Sequence, residues 1–212
     1  MSKSKDNLET LLRKNGRYDG RPFSEEEIDR FLKYYHFVLK WNPRLHLTTL
    51  SAPEDFFERH LRESEFAETL LSPEVKMIWD LGSGLGVPGI PLAILRSELP
   101  VTLVESKRHK VIFLEEVAAS LGLTNLAVVN SRIESLDALP PSICLTARAV
   151  EQMESLIPSM LKLAADCAQM IFFGSSRMAL HIRERLPDRF DLEFLPLPKS
   201  ENRFLINLTR ST

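Results

Sequence analysis

The chain concentrates its glycines in one turn that follows an acidic residue. Four of its eight glycines, Gly82, Gly84, Gly86 and Gly89, lie in the stretch "DLGSGLGVPG", which begins at Asp80. Glycine lets backbone N–H groups come close to a ligand, because a Cβ would block the approach or forbid the dihedral angles. Such a turn between a strand and a helix is typical of sites for nucleotides and phosphates. The sequence therefore predicts a nucleotide-type site at this turn.

Two ligand classes fit the turn. The spacing of Gly84, Gly86 and Gly89 satisfies G-x-G-x-x-G, the pattern of dinucleotide sites. In such a site the first glycine ends the strand, whereas here an acid and another glycine come first. Pro88 is also expected to begin the next helix, which places Gly89 inside that helix. The alternative pattern, D-x-G-x-G-x-G, starts at Asp80 and gives this carboxylate a role toward a ligand that bears an ammonium and a sulfonium group. S-adenosylmethionine is such a ligand, and the spacing favours it.

A second acid supports the nucleotide interpretation. Glu105 stands 23 residues after Gly82, at the end of the next expected strand. An acid in that position can accept hydrogen bonds from two ribose hydroxyls. A structural turn with a solvated acid is the alternative. The turn, the acid and the strand order together favour a ligand site.

An alternation of strands and helices must position these residues. Five short apolar runs predict strands: 75–80, 101–106, 126–130, 142–148 and 168–174. Helical patterns lie between them at 89–99, 110–122 and 153–165. Strands of this kind separated by helices indicate a parallel sheet covered on both faces. The final apolar runs, within 190–210, have no helix between them and predict an antiparallel hairpin that turns at 198–203.

The N-terminal part is predicted to be helical. Ser24 and Glu27 are spaced as a capping box, and apolar residues at helical spacing follow them. A second helix is expected from about Pro53 to Leu70. We therefore expect a helical extension over residues 1–72 and a ligand-binding domain over 73–212, joined in one compact unit.

Composition excludes several classes of protein. Hydrophobic residues make up 44% and charged residues 26% of the 212 positions, as in ordinary globular chains. We see no apolar run of the ~20 residues that a membrane span needs, and no secretory signal. The two cysteines support no disulfide framework, so we expect a cytoplasmic protein. The net charge of −2 argues against indiscriminate nucleic-acid binding but allows a local basic patch.

Longer motifs resemble one enzyme family. "WDLGSGLGVPGIPLAI" and "VTLVESKRHKVIFLEEV" are similar to the glucose-inhibited division protein B family, bacterial small-subunit ribosomal RNA methyltransferases that modify guanine N7. The resemblance continues in "NSRIESL", "TARAV", "KWNPRLHLTTL" and "ERHLRES" and covers roughly residues 30–210. It implies an α/β, Rossmann-like class I methyltransferase that uses S-adenosylmethionine, requires no metal and acts as a monomer. The implied substrate is 16S ribosomal RNA, either free or within the 30S subunit.

The resemblance also implies particular cofactor contacts. Besides the turn pattern of Asp80, Gly84 and Gly86, the implied contacts are Gly82, Val87, Glu105, Ser106, Lys107, Ile133, Glu134 and Arg148. The pair Ile133–Glu134 is expected beside the adenine. Cys144 lies in an apolar strand, where a structural role is favoured over that of a nucleophile.

Arg148 is the predicted catalytic residue. It ends the fourth strand, and the carboxyl ends of parallel strands line the ligand crevice. An arginine there can stack on a base or donate to guanine O6. The alternative is an arginine on a solvated strand end. Guanine N7 carries a lone pair and no proton at neutral pH, so its methylation needs alignment and no general base.

Several residues bear on RNA recognition. Candidate phosphate contacts are the basic residues Arg59, His60, Arg62, Lys107, Arg108, His109, Lys110 and Arg132. Candidate stacking residues are Tyr34, Tyr35 and Trp41, although helical spacing favours core packing for Tyr35. The chain departs from the family pattern at His46, at Phe173 and along Lys107–Lys110. These departures touch the expected RNA side more than the cofactor side, so they bear on the target nucleotide more than on the cofactor.

Three other functions stay open at this point. One is a methyltransferase of the same fold that acts on a small molecule or a protein. Another is an NAD-dependent oxidoreductase, which Asp80 before the turn and the absence of a Tyr-x-x-x-Lys set disfavour. The third is a non-catalytic RNA-binding relative.

Overall fold

A computed structural model describes residues 2–137, 139–149 and 153–211. Its N-terminal part is helical, as predicted. The helices are α1 (Ser2–Asn15), α2 (Glu25–Leu45), α3 (Pro53–Asp55) and α4 (Glu63–Thr69), and a π-helical segment (Phe56–Arg62) joins α3 to α4. The predicted capping box is present at the start of α2, where Ser24 Oγ accepts from Glu27 N and the Glu27 carboxylate accepts from Ser24 N.

Seven strands form one sheet in the order β3-β2-β1-β4-β5-β7-β6. The strands are β1 (Met77–Leu81), β2 (Val101–Glu105), β3 (Leu126–Asn130), β4 (Ile143–Arg148), β5 (Gln169–Gly174), β6 (Phe190–Pro196) and β7 (Phe204–Arg210). The first five are mutually parallel, and β7 runs antiparallel to both β5 and β6. This confirms the predicted Rossmann-like sheet with its antiparallel C-terminal hairpin.

Helices cover both faces of the sheet. They are α5 (Gly89–Leu95), α6 (Arg108–Leu121), α7 (Met153–Leu163) and α8 (Ser176–Arg183), and a short 3₁₀ turn spans Ile133–Ser135. Helix α5 ends four residues earlier than the predicted 89–99, because Arg96 adopts a non-helical conformation. Helix α8 was not predicted, although Ser175 supplies its N-terminal cap by accepting from Met178 N.

The alternation of side chains along the strands divides the core between the two faces. One apolar cluster joins α5, α6 and the N-terminal helices to residues such as Ile78 and Leu103. The other joins α7 and α8 to residues such as Leu145 and Phe172. The N-terminal helices therefore share a core with the sheet face that carries the glycine turn. Within the described residues, no helix has both the length and the apolar character to cross a membrane.

Candidate functional site

A cavity of about 690 Å³ opens at the carboxyl ends of the parallel strands. Its wall includes the glycine turn after β1, the end of β2, the segment after β3 and the end of β4. The segment from Leu47 to Leu50 and the π-helical segment close it from the N-terminal side. In an open parallel sheet, this edge is where ligands bind.

Gly84 and Gly86 are required in the turn for different structural reasons. Gly84 has φ +54°, and a Cβ placed on it would meet no heavy atom closer than Gly82 O at 3.7 Å and Lys110 Nζ at 3.8 Å. Gly84 thus needs its backbone conformation, and the space beside it belongs to the cavity. Gly86 has φ +96°, and a Cβ there would overlap the Ile90 side chain. Gly86 is therefore required for packing.

Gly89 opens helix α5, as the sequence predicted, and has no place in the turn. A Cβ on Gly89 would overlap Leu103 Cδ2 and come within 3.0 Å of Asp80 Oδ2. Its role is the close approach of helix to sheet. The G-x-G-x-x-G interpretation loses its third glycine for this reason.

Glu105 fastens the turn to the end of β2. The Glu105 side chain is buried, with Oε2 accepting from Gly84 N at 2.9 Å and Oε1 accepting from Lys107 N at 2.8 Å. Oε1 also accepts from Ser106 Oγ at 3.5 Å, whereas Oε2 has a second lone pair that leaves acceptor capacity for a ligand. A vicinal diol is the kind of ligand group that such a carboxylate binds.

Asp80 and Gly86 do not line the cavity. Asp80 is fully buried beneath the turn, where its Oδ1 accepts from Thr146 Oγ1 at 2.8 Å. Burial raises the pKa of the Asp80 carboxyl to about 6, against hydrogen bonds that lower it. The sequence placed this carboxylate against the ligand, whereas the structure places it below the turn as a support. Gly86 also lies outside the cavity lining, so a direct ligand contact of either residue stays a prediction.

The remaining predicted contacts come together. The residues of that prediction that line the cavity are Gly82, Gly84, Val87, Glu105, Ser106, Lys107, Ile133, Glu134 and Arg148. They derive from four separate segments of the chain, so the sheet topology is what assembles them. Cys144 is fully buried, and burial raises the pKa of its thiol well above the ordinary value, which fits the structural role expected of it.

Arg148 is largely buried in the cavity wall, so the alternative of an arginine on a solvated strand end is wrong. Its side chain is only 13% exposed, and Nη1 lies 2.8 Å from Oε2 of Glu63, a residue that the sequence did not single out. The guanidinium also lies over the Phe173 ring, 5.2 Å from its centroid. Desolvation lowers the pKa of Arg148, although Glu63 acts in the opposite direction. Phe173 thus supports Arg148 from behind and does not line the cavity.

The predicted basic residues separate into two groups. Those lining the cavity are Arg59, His60, Lys107, Lys110 and Arg132. Arg62 lies away from the cavity, where it contacts Glu65 at 2.6 Å and covers the Tyr18 ring. His60 is buried beside Thr48, and desolvation lowers its pKa to about 3. His60 is therefore neutral and contributes no positive charge toward a phosphate, and Arg62 lies outside the cavity lining.

The aromatic candidates belong to the core. Tyr34 is fully buried and donates its hydroxyl hydrogen to Leu85 O at 2.9 Å, which ties α2 to the glycine turn. Tyr35 donates in the same way to Ser51 O, and Trp41 packs edge-on against Phe113. None of the three lines the cavity described here. His46 does not line it either and caps α2 in a left-handed conformation.

Comparison with known proteins gives one family. A family model described as rRNA small subunit methyltransferase G matches residues 27–186. A protein of Xylella fastidiosa (strain 9a5c) named ribosomal RNA small subunit methyltransferase G is 40% identical over 136 residues, which cover 62% of this chain and 63% of that protein. A protein of the same name from Pseudomonas putida (strain GB-1) is 35% identical over 64% of this chain and 63% of its own length. The match thus spans less than two thirds of these relatives.

Solved structures share the fold at low sequence identity. A ribosomal protein L11 methylase from Lactobacillus delbrueckii subsp. bulgaricus has a TM-score of 0.56 at 16% identity, covering 71% of this chain and 78% of that one. A SAM dependent methyltransferase from Aquifex aeolicus has a TM-score of 0.55 at 11% identity, covering 73% of this chain and 92% of that one. At these identities the likeness shows the fold alone.

Proposed function

The chain belongs to the rRNA small subunit methyltransferase G family, and from that premise we propose that it transfers a methyl group from S-adenosylmethionine to N7 of a guanine in 16S ribosomal RNA. The observation that carries the proposal is the convergence of the predicted cofactor contacts. Nine residues expected from the motifs line one cavity at the carboxyl edge of the sheet.

The cavity fits the proposed cofactor chemically. Its volume of about 690 Å³ falls within the range of roughly 300–1,000 Å³ that is usual for small-molecule sites. Glu105 has acceptor capacity for ribose hydroxyls, and the turn at Gly82 and Gly84 leaves room for close approach. Ile133 and Glu134 offer an apolar surface and an acceptor for an adenine base. S-adenosylmethionine, when bound, supplies an electrophilic methyl group on its sulfonium.

The protein's part in the reaction is alignment. Guanine N7 needs no proton removed, so the described residues have to hold the base in line and exclude water. Arg148 supplies guanidinium N–H donors in the cavity wall that can hold guanine O6 or the ribose-phosphate. It has to lie beside N7 and not against it, because methylation leaves the base positively charged. Lys107, Lys110 and Arg132 provide cations for RNA phosphates.

The site draws on both parts of the chain. Arg59 comes from the helical residues 1–72, and the turn and Arg148 come from residues 73–212. We therefore infer that these two parts act as one catalytic unit, that one chain suffices for activity, and that the reaction takes place in the cytoplasm, where 16S ribosomal RNA is assembled into 30S subunits.

Tritium transfer from labelled cofactor tests the proposal. We expect label in 30S particles or in deproteinised 16S ribosomal RNA, and 7-methylguanosine in the digest. A parallel reaction with small metabolites and total protein tests the alternative substrates. Label only in those fractions would reject the RNA assignment, and RNA binding without label would indicate a non-catalytic relative. Mapping 7-methylguanosine in ribosomal RNA of a deletion strain would locate the nucleotide.

A further inference from the structure

One buried carboxylate gathers three arginines beside the cavity. Glu63, at the start of α4, contacts Arg59 Nε through Oε1 at 3.1 Å and Arg148 Nη1 through Oε2 at 2.8 Å. Arg203, before β7, also forms an ion pair with Glu63 Oε1. The Glu63 side chain is 1% exposed, whereas the arginine side chains are 13% to 33% exposed. Three elements distant in sequence thus meet on one acid.

The cluster is short of negative charge. Three guanidiniums share a single carboxylate, so each arginine repels the other two at short range. Arg59 and Arg203 oppose the charged form of Arg148, and Glu63 favours it. In this low-dielectric setting the orientation of Arg148 depends on the charge of Glu63, because a neutral residue there would leave three mutually repelling cations.

Glu63 itself does not line the cavity, whereas Arg59 and Arg148 do. Any effect of Glu63 on a bound substrate must therefore pass through these arginines. We propose that Glu63 is a positioning residue that holds the Arg148 guanidinium at the angle needed to orient the RNA base for methyl transfer. This inference rests on the proposed function only for the identity of the substrate.

The same helical region offers a matched control. Glu65 is also buried, at 1% exposure, and forms an ion pair with Arg62 at 2.6 Å. It accepts from Tyr18 N on the N-terminal side and does not line the cavity. Glu63→Gln and Glu65→Gln therefore remove the same charge at the same depth, but only the first touches the cavity wall.

The experiment compares Glu63→Gln, Glu63→Asp and Glu65→Gln with the wild-type protein on 30S particles. At equal folded fraction, we expect kcat for Glu63→Gln to fall at least ~10-fold below that for Glu65→Gln. The dissociation constant for S-adenosylhomocysteine should change less than ~3-fold, because the loss lies in orienting the base. Glu63→Asp keeps the charge and should recover part of kcat. Equal kcat values for the two glutamine variants would overturn the inference.

A second readout does not require turnover. The side-chain Nη–H signals of Arg148 in a ¹H–¹⁵N spectrum, assigned with Arg148→Lys, should be protected from exchange in the wild type, because Nη1 lies 2.8 Å from Glu63 Oε2. We expect this protection to be lost in Glu63→Gln and kept in Glu65→Gln. An unchanged signal in Glu63→Gln would contradict the positioning role of Glu63, whether or not the wild type methylates RNA. A wild-type protein that methylates no RNA would instead contradict the proposed function. If Glu63→Gln does not fold, Glu63→Met, which is also neutral, is compared with Glu65→Met, and equal kcat and equal protection in these two variants would overturn the inference.

Discussion

The two walls of the cavity are built in opposite ways. The turn wall, residues 82–87 with Glu105, is held by backbone groups, and Gly84 N and Lys107 N both donate to one carboxylate. The arginine wall consists of Arg59 and Arg148, which line the cavity, with Glu63 and Arg203 behind them, and ion pairs between side chains hold it together. Its Arg203–Glu63 pair joins residues 140 positions apart. The turn wall therefore has a fixed shape, whereas the arginine wall has a shape set by charge balance.

This difference predicts different responses to substitution. A change in the turn wall should act through sterics and backbone conformation, because its ligand-facing groups belong to the main chain. A change in the arginine wall should act through the mutual repulsion of cations and be eased by any residue that restores the charge.

The largest effect is expected at Gly84. Gly84→Val should abolish detectable binding of S-adenosylhomocysteine, because its side chain would project into the cavity where the backbone has to approach the ligand. Calorimetric titration measures this. Gly122→Val is the control, since Gly122 has a similar φ of +62° with open space around it. Both variants should lose stability, by about 1–2 kcal/mol for a left-handed residue. Undiminished binding by Gly84→Val would mean that the ligand does not bind against the turn wall.

The next effect concerns the support under the turn wall. The pKa of Asp80 is raised to about 6 in the folded protein, so the folded state binds this proton more tightly than the unfolded state does. Stability from this group is then present at low pH and falls as pH rises from about 4 to about 6, by roughly 3 kcal/mol in all. Urea unfolding should show Asp80→Asn gaining that amount relative to wild type between pH 4 and pH 7. A difference that is constant with pH would contradict the buried, protonatable carboxyl.

Gly84 and Asp80 show which features of the site can be predicted from the sequence and which cannot. The turn wall was predictable because Gly84, Glu105 and their neighbours follow strand ends, and strand ends share one edge in a parallel sheet. The depth of Asp80 was not predictable, because the side chain of a residue near the end of a strand can point toward the ligand or below the turn. Glu63 and Arg203 escaped notice because side-chain pairing across 140 positions leaves no local pattern. The spacing of Arg59 and Glu63, four residues apart in a helix, was the one available signal.

A smaller effect is expected at Glu105. Glu105→Gln should weaken S-adenosylhomocysteine binding roughly 30-fold, since hydrogen bonds to a charged acceptor contribute about 1.5–3 kcal/mol. The amide would also set an N–H donor against Gly84 N or Lys107 N. A 2′,3′-dideoxy analogue of the ligand completes a double-mutant cycle. If Glu105 accepts from the ribose, the variant should cost that analogue much less affinity. An equal loss of affinity for both ligands would mean that Glu105 only holds the turn and does not contact the ribose.

The arginine wall should respond in turnover more than in binding. Arg148→Ala should lower methyl transfer to 30S particles at least ~10-fold, which corresponds to ~1.4 kcal/mol of lost positioning. Because the Arg148 side chain packs against Glu63, its loss should also destabilise the protein by about 1–2 kcal/mol. This cost is smaller than that of breaking an isolated buried ion pair, because Glu63 keeps Arg59 and Arg203 as partners. Lysine should rescue turnover only in part, because a point charge lacks the planar fork.

Arg17→Ala is the control for this variant. Arg17 is buried and forms ion pairs with Glu27 at 2.8 Å and Glu68 at 3.2 Å, on the N-terminal side and outside the cavity wall. The Arg17→Ala variant should lose about as much stability as Arg148→Ala does, but each folded molecule should keep the wild-type turnover. Wild-type turnover by Arg148→Ala would mean that the arginine wall serves folding alone.

The smallest effect concerns the basic rim beside the turn wall. Lys107 and Lys110 line the cavity and Arg108 is exposed next to them at the start of α6. If each neutralises one phosphate, replacing all three with glutamine should lower the slope of log affinity against log salt by about 2. Doubling the salt concentration would then cost the variant roughly fourfold less affinity than it costs the wild type. A triple variant at Lys33, Arg21 and Arg185, none of which lines the cavity, matches the charge change and should keep the slope.

Cofactor affinity has to be measured alongside, because Lys107 lies in the cavity wall. An unchanged slope in the first variant would move the RNA path away from α6 and toward the arginine wall, where Arg59 and Arg148 would then have to serve both the phosphates and the base.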